Sequence, residues 1–186
     1  MKGQHPYWGI SKDKQRMWFK ISSTATVFMI FVFMSVFKEL KTPETPLGII
    51  DLQFAGNLTN ALKILGIWTV DKYPLVMFNL GIDYLFAILY PLSISLGCAL
   101  IVNLYEERSK IIFAIGVIIS WSQFFAGGFD LIENSLLSAV VLGIHDNSFV
   151  AAATVFALAK YSIVIIGLLY FFILTFAYPF LGKNKY

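Results

Sequence analysis

The chain has 186 residues, of which 58% are hydrophobic and only 13% are charged. Soluble domains usually carry about 25% charged residues, so this composition excludes an ordinary soluble protein. The net charge is +3, but no basic patch interleaved with exposed aromatic residues is visible, which argues against nucleic acid as a partner. Apolar runs of about 18 residues or more recur along the chain, as in helices that cross a membrane.

The N-terminal segment, residues 1–20, is polar and rich in basic side chains. Basic residues collect on the cytoplasmic side of membrane proteins, and tryptophan is common at the level of the lipid headgroups. We therefore predict that residues 1–20 form a basic cytoplasmic segment held at the membrane surface. Its basic residues are Lys2, Lys12, Lys14, Arg16 and Lys20.

Four apolar segments follow, and each reaches the length of about 17 residues or more that a membrane-spanning helix needs, the first only just. We predict an all-α, polytopic membrane protein in which a four-helix transmembrane bundle occupies residues 21–180. Pro91 in the second span, and Gly127 and Gly128 in the third, allow a kink or a close approach between helices. The predicted spans cover residues 21–37, 73–102, 111–142 and 149–177.

The first connection, residues 38–73, is the longest in the chain. Asn57 can cap a following helix, and the apolar residues after it recur at helical spacing. We predict an amphipathic interfacial helix over residues 57–68, lying on the membrane or covering the mouth of the bundle. A lid over a ligand cavity is the sharper hypothesis for residues 47–68. The predicted apolar face comprises Leu58, Ala61, Leu62, Leu65 and Trp68.

Basic residues also mark the second connection, at Arg108 and Lys110, and the C-terminal tail, residues 181–186. With four spans, these regions lie on the same side of the membrane as the N-terminal segment. The positive-inside rule places that side in the cytoplasm. We therefore predict cytoplasmic N- and C-termini, and an extracytoplasmic first connection.

Ionisable residues lie inside three of the predicted spans at similar depths. At about 1.5 Å per residue, Asp83, Glu133 and Lys160 each lie roughly 15 Å from the extracytoplasmic end of their predicted span. Asp130 lies about one turn deeper. Ionisable groups in the middle of a membrane are costly and commonly functional. We expect these side chains to meet in the interior of the bundle.

Polar residues on the same helical faces extend this layer. Asn79 shares the face of Asp83 because the two are four residues apart. On the third span, Gln123 and Asn134 lie within the same narrow arc as Asp130. The candidate ligand- or ion-binding residues are therefore Asn79, Asp83, Gln123, Asp130, Glu133, Asn134 and Lys160.

The acidic residues of this layer outnumber the bases. Asp83, Asp130 and Glu133 face the single base Lys160, which leaves a formal charge of −2. Unpaired charge is costly in a low dielectric, so protons, a bound cation, a cationic ligand or water must compensate. A structural ion pair between Lys160 and Asp83 or Glu133 is the plainer alternative.

The sequence carries no pattern of a known metal or cofactor site. Its two histidines, His5 and His145, lie in connections, and no zinc or haem motif occurs. A hard cation stays an open alternative, held by the carboxylate and amide oxygens of Asp83, Asp130, Glu133 and Asn134. We predict no dedicated metal centre and no cofactor.

Three functional hypotheses remain open. The first is a membrane protein that binds a lipid-like or cationic small ligand, or carries a proton or cation, with membrane lipids as its partners. The second is an accessory or assembly subunit of a larger membrane complex. The third is an intramembrane enzyme with Asp130 or Glu133 as general acid–base. No P-loop, dinucleotide-binding or serine-hydrolase motif occurs, which favours a non-enzymatic role.

From residue 47 onward, the chain resembles small bacterial four-span membrane proteins to which no activity is assigned. The similar stretches are 52–56 (LQFAG), 83–86 (DYLF), 126–134 (AGGFDLIEN) and Lys160. This resemblance implies the four-span fold and the inner membrane of a bacterium, but no reaction. In architecture alone, the chain is also similar to the sterol-isomerase and sigma-2-receptor-like group, which holds paired acidic residues in a membrane cavity.

Overall fold

The computed structural model describes residues 4–180, and these contain helices and no strands. Four helices are long and apolar enough to cross a membrane, as expected for an integral membrane protein. This confirms the all-α fold class with four candidate spans. Short 3₁₀ turns at Phe37–Leu40 and Val70–Lys72 flank the first connection. The helices are α1 (Lys12–Val36), α2 (Ile49–Gln53), α3 (Leu58–Trp68), α4 (Tyr73–Tyr105), α5 (Lys110–Val141) and α6 (Asn147–Ala177).

The ends of α4, α5 and α6 agree closely with the predicted spans, but α1 begins at Lys12 rather than near residue 21. The prediction began this span where the apolar run begins. Lysine, glutamine and arginine nevertheless form helices well in water, and Asp13 in the first turn favours the helix dipole. Lys2 and the predicted basic tail, residues 181–186, lie outside the described residues.

The central helix of the bundle is α4. The other three long helices all pack against it, and α5 and α6 also pack against each other. As a result α4 is the most buried of the four candidate spans, whereas α1 is the least buried. This arrangement leaves α1 and α6 as two flanks on either side of one face of α4.

Helices α4 and α5 approach most closely at a glycine. A Cβ atom added at Gly127 would lie 2.6 Å from the Ala87 carbonyl oxygen and 3.0 Å from Pro91 Cγ. Pro91 has no N–H to donate to that carbonyl, four residues earlier, so the oxygen is free of its helical bond. The predicted close approach is confirmed at Gly127, whereas the space beside Gly128 is open. Both helices continue unbroken through these residues.

Residues 41–72 and the turn between α5 and α6 cover one end of the bundle, which we call the capped end. Asn57 Oδ1 accepts from Asn60 N at 2.9 Å, which confirms the predicted cap of α3. Trp68 Nε1 donates to the Leu40 carbonyl at 2.8 Å. The prediction was wrong for Leu62, which is 37% exposed. The buried face of α3, packed over α4, α5 and α6, comprises Ala61, Leu65 and Trp68.

The opposite end of the bundle, the N-terminal end, is covered by residues 4–10. Trp121 Nε1 on α5 donates to the Gln4 carbonyl at 3.0 Å. Gln15 Nε2 on α1 donates to the Tyr7 carbonyl at 3.0 Å, and Tyr7 itself is buried. Part of the segment predicted to lie at the membrane surface is therefore docked into the helices.

Candidate functional site

The polar layer forms where α5 meets α6. Asp130 and Glu133 lie one turn apart on α5, so both reach the same point on the neighbouring helix. The Lys160 ammonium donates to Asp130 Oδ1 and lies 2.7 Å from Glu133 Oε2. All three side chains are buried. The three groups therefore point into the bundle and meet at one level of it.

Asp83 joins this layer from α4 through an amide. Asn134 Nδ2 lies 3.0 Å from Asp83 Oδ2 and 3.5 Å from Asp130 Oδ1. Glu133 and Asp83 were the two partners predicted for Lys160. The structure pairs Lys160 with Glu133 and also with Asp130, and among the described residues no salt bridge joins Lys160 to Asp83. Asp83 therefore remains a carboxyl group without a cation in contact.

A cleft of about 730 Å³ lies against this layer, between α1, α4 and α6. Cavities of about 300–1,000 Å³ are typical of small-molecule sites. Each of the three helices contributes residues at intervals of three or four, so each presents one continuous stripe to the cleft. Its apolar lining includes Phe19, Ile30, Phe33, Phe86, Ile94, Val164, Leu168 and Phe171.

The cleft is closed near the N-terminal end and open at its side. Near the N-terminal end, the rings of Phe19 and Phe171 are 5.5 Å apart between centroids. At the capped end, Ile49 and Ile50 of α2 lie across it. Exposed lining residues lie on α1 and α6, among them Met34 at 62%, and at the capped end, where Lys41 and Leu47 are exposed. The cleft therefore opens between α1 and α6, where a lipid bilayer would surround the protein, and this opening extends to the capped end.

Four of the seven predicted site residues line the cleft, namely Asn79, Asp83, Asp130 and Lys160. Gln123, Glu133 and Asn134 are buried but are absent from its lining. Gln123 Nε2 instead donates to the Ile163 carbonyl of α6 at 3.2 Å, which ties α5 to α6. We therefore assign these three residues to support of the site rather than to direct contact.

Part of the cleft lining was not predicted from the sequence. Tyr161 Oη donates to Gln53 Oε1 at 2.9 Å. Both residues line the cleft, and Gln53 is the last residue of α2. A signal for Gln53 was present, since it is a lone amide in the apolar stretch 47–54. Ser23 and Thr26 of α1 also line the cleft. Their spacing, with Ile30 and Phe33, is that of one helical face.

Two side chains offer unused hydrogen-bonding groups to the cleft. Asn79 Nδ2 and Thr26 Oγ1 are buried, and neither has a partner among the described residues. Both residues line the cleft. A buried polar group without a partner costs about 1–3 kcal/mol, so a ligand that satisfies it gains affinity.

Comparison with known protein families, with curated proteins and with solved structures found no match. The function of the site must therefore be inferred from its own geometry. The resemblance to bacterial four-span proteins stays a prediction.

Proposed function

We propose that this protein binds a lipid-like amphiphile, with a positively charged head group, in the cleft between α1 and α6. The observation that carries the proposal is the position of Asp83. Its carboxyl group lines an apolar cleft and contacts no cation among the described residues. Lys160 already pairs with Asp130 and Glu133. It therefore does not neutralise Asp83, whose carboxylate can pair with a cationic ligand.

The dimensions of the cleft support a ligand with one long apolar chain. The lining of α4 continues from Asp83 to Gly97, which is about 21 Å along a helix at 1.5 Å per residue. One leaflet of a bilayer contributes about 15 Å of hydrocarbon. An alkyl chain of ordinary lipid length therefore fits between Asp83 and the closed end at Phe19 and Phe171.

The head group should supply most of the selectivity. An alkyl chain that moves from lipid into an apolar cleft exchanges one apolar environment for another, so its transfer contributes little. A positive charge placed beside Asp83 interacts far more strongly there than in water, because the local dielectric is low. Among amphiphiles with the same chain, those with a positively charged head group should therefore bind most tightly.

The test measures binding of hexadecylamine, hexadecanol and hexadecanoic acid to the protein in lipid nanodiscs. We expect the amine to bind most tightly, and Asp83→Asn to weaken it about thirtyfold or more, as for a buried charge pair. Asp71→Asn, at an exposed carboxyl group in the turn before α4, is the matched control and should leave binding unchanged. Equal affinities of the amine for wild type and the Asp83→Asn variant would reject the proposal.

The accessory-subunit hypothesis is the second candidate, and the low burial of α1 favours it. A helix of a partner protein would then occupy the cleft in place of a lipid. Native mass spectrometry of the purified protein distinguishes the two, because a stoichiometric protein partner indicates a subunit and bound lipid indicates a binder. We rank an acid–base enzyme lower, since Lys160 contacts both Asp130 and Glu133.

We also propose that the N-terminal end faces the cytoplasm and the capped end faces outward. The support is the basic character of α1 before residue 21, together with Arg108 and Lys110. The inner membrane of a bacterium follows from the resemblance alone.

A further inference from the structure

Asn79 and Asp83 present complementary groups to the cleft. They lie one turn apart on α4, with Asn79 nearer the capped end, and both line the cleft. Asn79 is 2% exposed, and its Nδ2 has no partner among the described residues. Asp83 uses Oδ2 to accept from Asn134, while its other oxygen accepts no hydrogen bond from the described residues. A donor and an acceptor thus stand side by side without partners.

The order of Asn79 and Asp83 along α4 indicates which head group a ligand should carry. From Asn79 to Asp83 the helix rises about 6 Å, so side chains from the two positions can converge on neighbouring atoms of one ligand. The atom facing Asn79 must accept a hydrogen bond, and the atom facing Asp83 must donate one or carry positive charge. On α4 the lining begins at Asn79 and continues past Asp83 to Gly97, so the longer apolar arm lies beyond Asp83 and the accepting atom lies at the free end of the ligand.

We infer that the cleft selects a single-chain vicinal amino alcohol, whose ammonium group pairs with Asp83 and whose terminal hydroxyl accepts from Asn79. This inference rests on the proposed function and names the ligand class of the same site. Asn79 is then a specificity-determining residue. A simple alkylamine leaves its amide unpaired, and a fatty acid brings a carboxylate against Asp83. An amino alcohol with a hydroxyl on its end carbon satisfies both groups while its chain lies toward Gly97.

The experiment compares hexadecylamine with the hexadecyl-length amino alcohol whose adjacent end carbons carry the hydroxyl and the amine. Both are titrated into nanodiscs that contain wild type, Asn79→Leu or Asn79→Gln. We expect wild type to prefer the amino alcohol about tenfold, as for one buried hydrogen bond. Asn79→Leu should abolish that preference, because leucine has similar size but no donor. Asn79→Gln keeps an amide donor and should restore part of the preference.

The outcomes separate this inference from the function on which it rests. If neither probe binds wild type, the proposed function fails and the inference with it. If hexadecylamine binds in a manner that depends on Asp83 but the amino alcohol binds no better, only the inference is overturned. A preference that survives in Asn79→Leu also overturns it. Should Asn79→Leu not fold, the wild-type ratio and the Asn79→Gln variant still decide.

Discussion

Lys160 holds the polar layer together at the scale of single residues. Its ammonium group contacts two carboxyl groups on the same helix, and all three side chains are buried. A buried ion group of this kind adds little net stability compared with apolar residues of similar size. Removal of one member, however, leaves the other charges without compensation in a low dielectric.

We therefore predict that Lys160→Met destabilises the protein by about 3–5 kcal/mol. The measurement is the free energy of unfolding in detergent micelles. Lys63→Met, at an exposed lysine of α3, is the control and should change stability by no more than about 0.5 kcal/mol. Addition of Asp130→Asn and Glu133→Gln to Lys160→Met should recover much of the loss, because both uncompensated charges are then gone. A Lys160→Met variant as stable as wild type contradicts this role.

The contact surface between α4 and α5, which we call the seam, places Asp83 beside Asn134. Ser95 and Ser120 each donate a hydroxyl to the other's carbonyl, at 2.7 and 2.9 Å. Helices in lipid associate through such bonds and through close packing at small residues, since no hydrophobic force drives them together. The contact at Gly127 belongs to this seam, one turn from Asp130 on the same helix.

The two neighbouring glycines of α5 allow a matched test of the seam. Gly127→Ala forces its new methyl group against the Ala87 carbonyl, which belongs to the backbone and cannot move aside alone. We expect a loss of about 1–3 kcal/mol, typical of overpacking. Gly128→Ala meets no atom within 4 Å and should be neutral or slightly stabilising, because alanine favours helix. Thermal unfolding in detergent measures both, and equal effects of the two substitutions contradict the role of the seam.

At the scale of the whole molecule, the N-terminal segment belongs to the folded structure. His5 is 2% exposed, its Nε2 lies 3.3 Å from Asn103 Oδ1, and its Nδ1 accepts from Tyr7 N at 3.2 Å. The neutral imidazole satisfies both contacts, whereas a proton on Nδ1 removes the second. Burial lowers the pKa of His5, although the bond to Asn103 and the charge of Glu106 oppose this shift.

The docked N-terminal segment should therefore come loose in acid. Because the docked state disfavours the protonated ring, its stability is complete above the ordinary histidine pKa of about 6.5 and declines as the pH falls below it. Spin labels at Gly9→Cys and Glu107→Cys, in a Cys98→Ala background, report the docking as a distance. We expect the distance distribution to broaden between pH 7.5 and pH 5, both chosen to bracket that pKa. His5→Gln, which does not titrate, should abolish the change, and broadening that persists in it rules out His5 as the cause.

The helix limits of α4, α5 and α6, the cap of α3 and the inward orientation of the polar residues could all be predicted from the sequence. Each depends on local chemistry, because hydropathy and helical periodicity are properties of neighbouring residues. Helical spacing likewise places Asp83, Glu133 and Lys160 at a similar height, with Asp130 about one turn away. The helix α1 begins before the predicted span because a helix continues past the point where its side chains become polar.

Only the tertiary structure decided which helices are neighbours. Equal depth is compatible with several arrangements of four helices, so it does not tell which carboxyl groups Lys160 contacts. The choice depends on packing between distant segments, above all the approach of α5 to α4 at Gly127. The same packing leaves α1 and α6 apart and creates the cleft, with Gln53 and Tyr161 brought together across more than a hundred residues of chain. No local pattern encodes that separation, because it arises from the shapes of whole helices in contact.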